Sequence, residues 1–145
     1  MSRMHIHLAV EDLEKNIVFY SGLFGTAPTV SKPDYAKWEL ADPQVNFAIS
    51  THGKQPGLDH IGIQADDADE LTAIRQRLDS ADIHGLAEEG TTCCYAKSDK
   101  YWTIDPQGIA WESFHSLESA EVYGKRTDAE RTQTGCCTPV SNNCC

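Results

Sequence analysis

The sequence predicts an α+β fold in which two βαβββ modules pair around a cavity, followed by a flexible C-terminal tail. Three observations carry that prediction: an internal repeat, the same order of strand and helix periodicities in both halves, and a change of composition after about Ser119. The repeat sets His5-Ile6-His7-Leu8-Ala9-Val10-Glu11-Asp12 against His60-Ile61-Gly62-Ile63-Gln64-Ala65-Asp66-Asp67, 55 positions later. Each copy alternates as a half-buried strand does and runs into a helical pattern.

The first module spans about 4–52. Asp12 is a natural N-cap, Leu13, Ile17, Tyr20 and Phe24 fall at helical spacing, and Gly25 stops the helix. Extended stretches follow at about 29–31, 35–40 and 46–50, with Pro33 and Asp42-Pro43 marking turns. Gln55-Pro56-Gly57 links the halves. In the second module, about 57–116, Asp67 is the cap and Leu71, Ile74, Leu78 and Ala81 form the apolar stripe. Its later strands are expected at about 86–89, 101–104 and 110–115, with Asp105-Pro106-Gln107-Gly108 as a turn. A folded domain at 1–118 thus precedes a tail at 119–145 that is rich in Thr, Ser, Asn and Glu and lacks periodicity.

Strand alternation sorts the chemistry by face. Ile6, Leu8 and Val10 must pack under the first helix, which places His5, His7 and Ala9 on the other face. In the second copy Ile61, Ile63 and Ala65 pack inward, while His60, Gly62 and Gln64 face away. In the last strand Glu112 shares a face with Ala110 and Phe114. Two symmetry-related histidines and a carboxylate on inner faces make a 2-His-1-carboxylate site, whose open positions suit Fe(II) and dioxygen chemistry. His7 shares the face of His5 and is its rival as first ligand. The stretch 46–50 carries neither His nor carboxylate, so no fourth protein ligand is expected there.

All six cysteines occur as adjacent pairs, Cys93-Cys94, Cys136-Cys137 and Cys144-Cys145. A disulfide between neighbours closes almost no loop and is strained, so this is no secreted disulfide framework. Paired thiols instead offer two soft donors to a thiophilic ion. For Cys93 and Cys94 to act together they must leave regular strand geometry, and Gly90-Thr91-Thr92 suggests a loop just before them.

The charge balance of 22 acidic and 12 basic residues, net -10, argues against sequence-independent binding to nucleic acid or an anionic membrane. Apolar runs are only a few residues long and the N-terminus lacks the apolar stretch of a secretory signal, so a soluble cytoplasmic protein is expected.

Several motifs resemble the vicinal oxygen chelate (glyoxalase/bleomycin resistance/extradiol dioxygenase) superfamily over roughly residues 4–116. They are His5, Val10-Glu11-Asp12-Leu13-Glu14-Lys15, Phe19-Tyr20, Leu23-Phe24-Gly25, Asp59-His60-Ile61-Gly62, and Asp105-Pro106-Gln107-Gly108 with Trp111-Glu112. Lys32-Pro33-Asp34-Tyr35-Ala36-Lys37, Thr91-Thr92-Cys93-Cys94-Tyr95-Ala96 and Asp99-Lys100-Tyr101-Trp102 are similar to the organoarsenical C–As lyases and cadmium-induced proteins of that superfamily.

That resemblance implies Fe(II) at His5, His60 and Glu112, with Cys93 and Cys94 binding the arsenic of a trivalent organoarsenical such as methylarsenite or a reduced aromatic arsenical. The implied enzyme is a non-haem, dioxygen-dependent lyase releasing arsenite, with a homodimer among its allowed states. Tyr95 and Tyr101 are candidate proton donors, although as aromatics of a sheet they are more often packing residues. Lys97 or Lys100 could lower the thiol pKa values, although a lysine in such a place is more often a solvated surface charge. The rival readings are a non-enzymatic cadmium- or arsenite-binding resistance protein and a glyoxalase-like isomerase, the latter weakened by the missing fourth ligand.

Overall fold

A computed structural model of the chain describes residues 1–124. The pairs Cys136-Cys137 and Cys144-Cys145 lie outside the described residues. The elements run β1 Arg3–Ala9, α1 Leu13–Phe24, β2 Val30–Lys32, β3 Tyr35–Ala41, β4 Gln44–Ser50, β5 Gly57–Gln64, α2 Ala68–Ser80, β6 Leu86–Cys93, β7 Ala96–Ile104 and β8 Ala110–Ser119. The βαβββ order expected from the repeat is present in both halves.

All eight strands join one sheet in the order β2-β3-β4-β1-β5-β8-β7-β6. Each module places its first strand at the centre and pairs it in parallel with its own last strand, β1 with β4 and β5 with β8. The two first strands then pair antiparallel with each other, so the modules meet within one chain. That arrangement puts His5 and His60 at the centre of the sheet.

The helices form where the caps predict. Asp12 accepts the backbone N–H of Lys15 at 3.0 Å and Asp67 accepts that of Glu70 at 2.8 Å, satisfying donors that a first helical turn leaves open. Helix α1 covers a core of Leu13, Ala36, Trp38, Phe47 and Ile49, with Ile6, Leu8 and Val10 packed against it. Burying that face fixes which side of β1 points the other way, toward the histidine cluster.

The second module departs from expectation in its β6–β7 hairpin, which is much longer than the sequence suggested. Gly90-Thr91-Thr92 is no loop. The register shifts between Glu88 and Thr91, and Gly90, at φ 57°, supplies the left-handed residue of a bulge. Pairing then resumes up to Cys93 opposite Ala96.

Beyond β8 the chain is still placed where a tail was expected. The backbone N–H of Ala120 donates to the Tyr95 carbonyl at 2.8 Å, and Gly124 forms a bridge with Cys93. Among the described residues no helix is long and apolar enough to cross a membrane.

Candidate metal and thiol site

Strand register positions the site. His5 lies opposite Asn46 on β4 and Gly62 on β5, His7 lies opposite His60, and Gly62 lies opposite Glu112 on β8. His5, His60 and Glu112 therefore converge from three adjacent strands, and all are buried. Their facing ligand atoms form a small triangle. The two histidine Nε2 atoms are 3.1 Å apart, and Glu112 Oε2 lies 3.5 Å from that of His5 and 3.3 Å from that of His60. Three donors each about 2.1 Å from one ion stand about 3.0 Å apart on an octahedral face and about 3.4 Å apart in a tetrahedron. The triangle has that size, and its nitrogen and oxygen donors suit a divalent first-row metal.

The imidazoles are held for such a role from behind. His5 Nδ1 donates to the Asn46 carbonyl at 3.2 Å, and His60 Nδ1 donates to Asp59 Oδ1 at 2.8 Å. In the neutral form of each ring, that contact commits the proton to Nδ1 and leaves the Nε2 lone pair facing inward.

Charge is distributed unevenly. Burial, partly opposed by Glu112, lowers the pKa of His5 to about 4. Burial also works to lower His60, but hydrogen bonds to Asp59 and Glu112 carry it up to about 9. Burial acts to raise Glu112, yet Lys100 and the histidines hold it well below the usual carboxylate range. In the metal-free protein the raised His60 contributes stability that is fully present below 6.5 and is lost as pH rises through about 9. A metal must displace that proton. Binding at neutral pH is therefore expected to release about one proton, with affinity rising toward pH 9. Calorimetry in buffers of different ionisation enthalpy measures the release, and an unchanged proton count on binding would contradict the charge assignment.

His7 is the third member of an all-histidine group whose ligand atoms lie within 4.8 Å of one another, which could also hold a metal. Its nitrogens have other neighbours, however. Nε2 is 2.9 Å from Ser50 Oγ, and Nδ1 is 4.0 Å from Cys94 Sγ. His7 thus stands between the histidine–carboxylate triangle and the thiols.

The thiols converge because of a turn. Cys93 ends β6, whereas Cys94 and Tyr95 form a two-residue connection with φ of 55° and 60°, the left-handed pair of a type I′ hairpin. Strand alternation stops at Cys93, so the two Sγ atoms lie 3.2 Å apart on one side. Hydrogen bonding to Cys93 and burial raise the Cys94 pKa well above 9.0. Cys93, Cys94, His5, Lys100, Glu112 and Phe114 line one cavity with about 30 Å³ of free volume, room for about two water-sized groups.

Lys100 was legible only as one of two lysines near the thiols. It is buried, and its Nζ donates to Glu112 Oε1, leaving Oε2 to the triangle. It is no solvated surface charge. Lys97 is half-exposed and pairs with Glu118 at 3.4 Å.

Tyr101 is not brought to the site. Its neighbour Lys100 faces the cavity, so alternation turns Tyr101 toward α2, where its hydroxyl accepts from the Gly85 N–H at 2.9 Å and the ring lies under Arg75. This corrects the expectation that it could donate a proton there. Tyr95 stays at the rim with its hydroxyl bound to Asp34, a contact that raises its pKa to about 12. The residue that sequence reasoning missed is Tyr123, whose ring stacks on His52 and whose hydroxyl lies 3.6 Å from Cys94 Sγ. No motif marked it, because it follows the last periodic segment.

Gly62 makes the convergence sterically feasible. A Cβ there would sit 1.9 Å from the Glu112 backbone oxygen. Gly62→Ala must therefore push β8 away from β5, at a cost of about 1–3 kcal/mol in stability. Metal titration and denaturant melts should both register the change.

A sequence model described as the Glyoxalase/Bleomycin resistance protein/Dioxygenase superfamily matches residues 3–113. The chain belongs to this superfamily. Membership agrees with the resemblance carried by the His5, His60 and Glu112 segments, and the paired βαβββ modules are the superfamily's vicinal oxygen chelate fold. The chain is similar over its whole length to the trivalent organoarsenical cleaving enzyme of Bacillus sp. (strain MD1), with 37% identity over 162 residues, covering 100% of this chain and 99% of that one. It is also 36% identical over 142 residues to the cadmium-induced protein CadI of Mycobacterium tuberculosis, covering 94% and 93% of the two chains. The fold matches that of homoprotocatechuate 2,3-dioxygenase from Arthrobacter globiformis, with a TM-score of 0.60 and 17% identity over 86% of this chain and 39% of that one.

Proposed function

We propose that this protein cleaves the carbon–arsenic bond of trivalent organoarsenicals such as methylarsenite, using Fe(II) and dioxygen and releasing arsenite. The observation that carries the reading is that two convergent thiols line one cavity with His5 and Glu112, whose ligand atoms meet His60 Nε2 in a facial triangle. The relatives named as organoarsenical cleaving enzymes support it.

His5, His60 and Glu112 would hold the metal, and Fe(II) there would supply the dioxygen chemistry that side chains lack. The chain's own residues bind and orient. Cys93 and Cys94 each exchange a thiol for a hydroxyl on arsenic: an S–As bond forms, an As–OH bond breaks, and the thiol proton leaves with the hydroxide as water. Lys100, on the same cavity as the thiols, favours the anionic forms of Cys94 and Glu112. The organic substituent then points into the small cavity, where Phe114 packs edge-on to His5; Trp102 packs edge-on to His60 alongside it. Those rings exclude bulk water and hold the reacting groups together.

The test is incubation with methylarsenite and Fe(II) under air, followed by arsenic speciation. Arsenite in amounts exceeding the protein is expected. Stoichiometric binding without turnover would overturn the proposal and favour sequestration by the thiols and His7.

A further inference from the structure

Asn46 takes no part in the function proposed so far, yet it stands beside the metal ligands. It is 3% exposed, lies opposite His5 in the β1–β4 register, and lines the same cavity as Glu112 and the thiols. Its Nδ2 donates to Gln64 Oε1 at 2.8 Å, which fixes the amide and turns Oδ1 the other way. Oδ1 is buried and has no hydrogen-bond partner. A buried carbonyl oxygen without a donor is unfavourable, and such atoms in folded proteins call for an explanation. The neighbouring groups explain why none of them supplies a proton. Glu112 is itself an acceptor, Lys100 is engaged with Glu112, and His5 spends its Nδ1 proton on the Asn46 backbone carbonyl.

We infer that Asn46 Oδ1, oriented by Gln64, is the acceptor for an O–H group that enters this cavity with the ligand. This rests on the reading of His5, His60 and Glu112 as metal ligands and of the cysteines as arsenic ligands. Two sources of that O–H exist in the proposed reaction, a water carried by the metal and a hydroxyl on trivalent arsenic. Either places a donor where the strand from which Asn46 projects offers no ligand of its own. Gln64 is then a positioning residue: it acts only through the amide of Asn46.

The test separates the two sources and the underlying reading. Binding of Mn(II) or Co(II) is titrated without arsenic, and binding of methylarsenite is titrated without metal. Asn46→Leu is expected to weaken one of the two by about tenfold or more, the effect typical of losing an outer partner of a bound metal. A loss confined to the metal arm assigns the O–H to water, and a loss confined to the arsenic arm assigns it to the arsenic hydroxyl. Asn46→Asp keeps an oxygen at the same place and should retain binding. Gln64→Leu should weaken the same arm less, and the double variant Asn46→Leu/Gln64→Leu should lose no more than Asn46→Leu alone.

The backbone carbonyl that orients His5 survives every one of these substitutions. Asn46→Leu removes an unpartnered buried oxygen but also the Nδ2 hydrogen bond to Gln64, two changes of opposite sign, so thermal melting of the metal-free variant should change little. Equal affinity of wild type and Asn46→Leu in both arms would overturn the inference. Should Asn46→Leu fail to fold, loss of binding in Asn46→Asp or full binding with no change in Gln64→Leu would overturn it instead. Failure of the underlying reading looks different: wild type itself would bind no metal, or His60→Ala would bind it unchanged.

Discussion

Glu112→Ala is expected to abolish arsenite release from methylarsenite and to lower stability by about 3–5 kcal/mol, the usual cost of stranding a charge inside a protein. Two losses are combined in that variant. The proposed metal site loses its only carboxylate, and Lys100 loses the partner of its ammonium. Both side chains are 4% exposed, so water cannot replace what is removed. Burial acts to lower the pKa of Lys100, but Glu112 and then the thiols hold it above its ordinary value, so it stays charged. Replacing both residues separates the effects. Glu112→Leu with Lys100→Met should recover most of the stability, as apolar substitutes for buried ion pairs often do, and none of the activity. Activity in either variant would remove Glu112 from the proposed mechanism.

The same pair sets an acid limit. Because the Glu112 pKa is depressed in the folded protein, its contribution is present above the ordinary carboxylate value of 4.5 and is lost as pH falls below it. Denaturant melts across that range should show wild type losing stability with acid more steeply than the Leu/Met variant.

How much of this was legible in the sequence depended on whether a residue's neighbours were local. The face shared by His5 and His7, and that of His60, followed from alternation, because burying Ile6, Leu8 and Val10 under α1 leaves only one side for the polar set. The helix caps followed from Asp12 and Asp67 for the same local reason. The long hairpin did not. Gly90 in a run with two threonines resembles a loop, and only the partner strand shows that it is a bulge after which pairing resumes. With β7 expected to begin at Tyr101, Lys100 fell outside any strand and its inward direction could not be assigned. Once β7 is known to begin at Ala96, Lys100 and Trp102 share a face and Tyr101 takes the other. In the sequence, Asn46 marks only the lack of a carboxylate on its strand. Its unpaired oxygen depends on Gln64, which reaches it from β5 across the central strand β1.

The second large effect belongs to the thiols. Cys93→Ser and Cys94→Ser should each lower the affinity for methylarsenite by about 10²–10⁴, because the second contact of a two-point ligand forms at high effective concentration once the first is made. Turnover should fall with it. The dependence on pH has a defined sign. With the Cys94 pKa raised well above 9.0 by Cys93 and by burial, its thiolate is scarce at neutral pH, and the rate of arsenic capture should climb through the alkaline range without levelling off below pH 9.0. Stopped-flow measurement of methylarsenite binding reads that slope, and a plateau near neutrality would mean that the pair is already ionised. The remaining pairs, Cys136-Cys137 and Cys144-Cys145, can be separated from this one by choosing the point of truncation. Ending the chain after Ser119 also removes Tyr123 from Cys94 and Gly124 from Cys93, so a loss there would not implicate the distal thiols. Ending it after Gly124 removes only those thiols and the residues around them. An enzyme working through Cys93 and Cys94 should keep its turnover in that shorter chain, whereas a sequestering protein should lose arsenic capacity in proportion to the thiols removed.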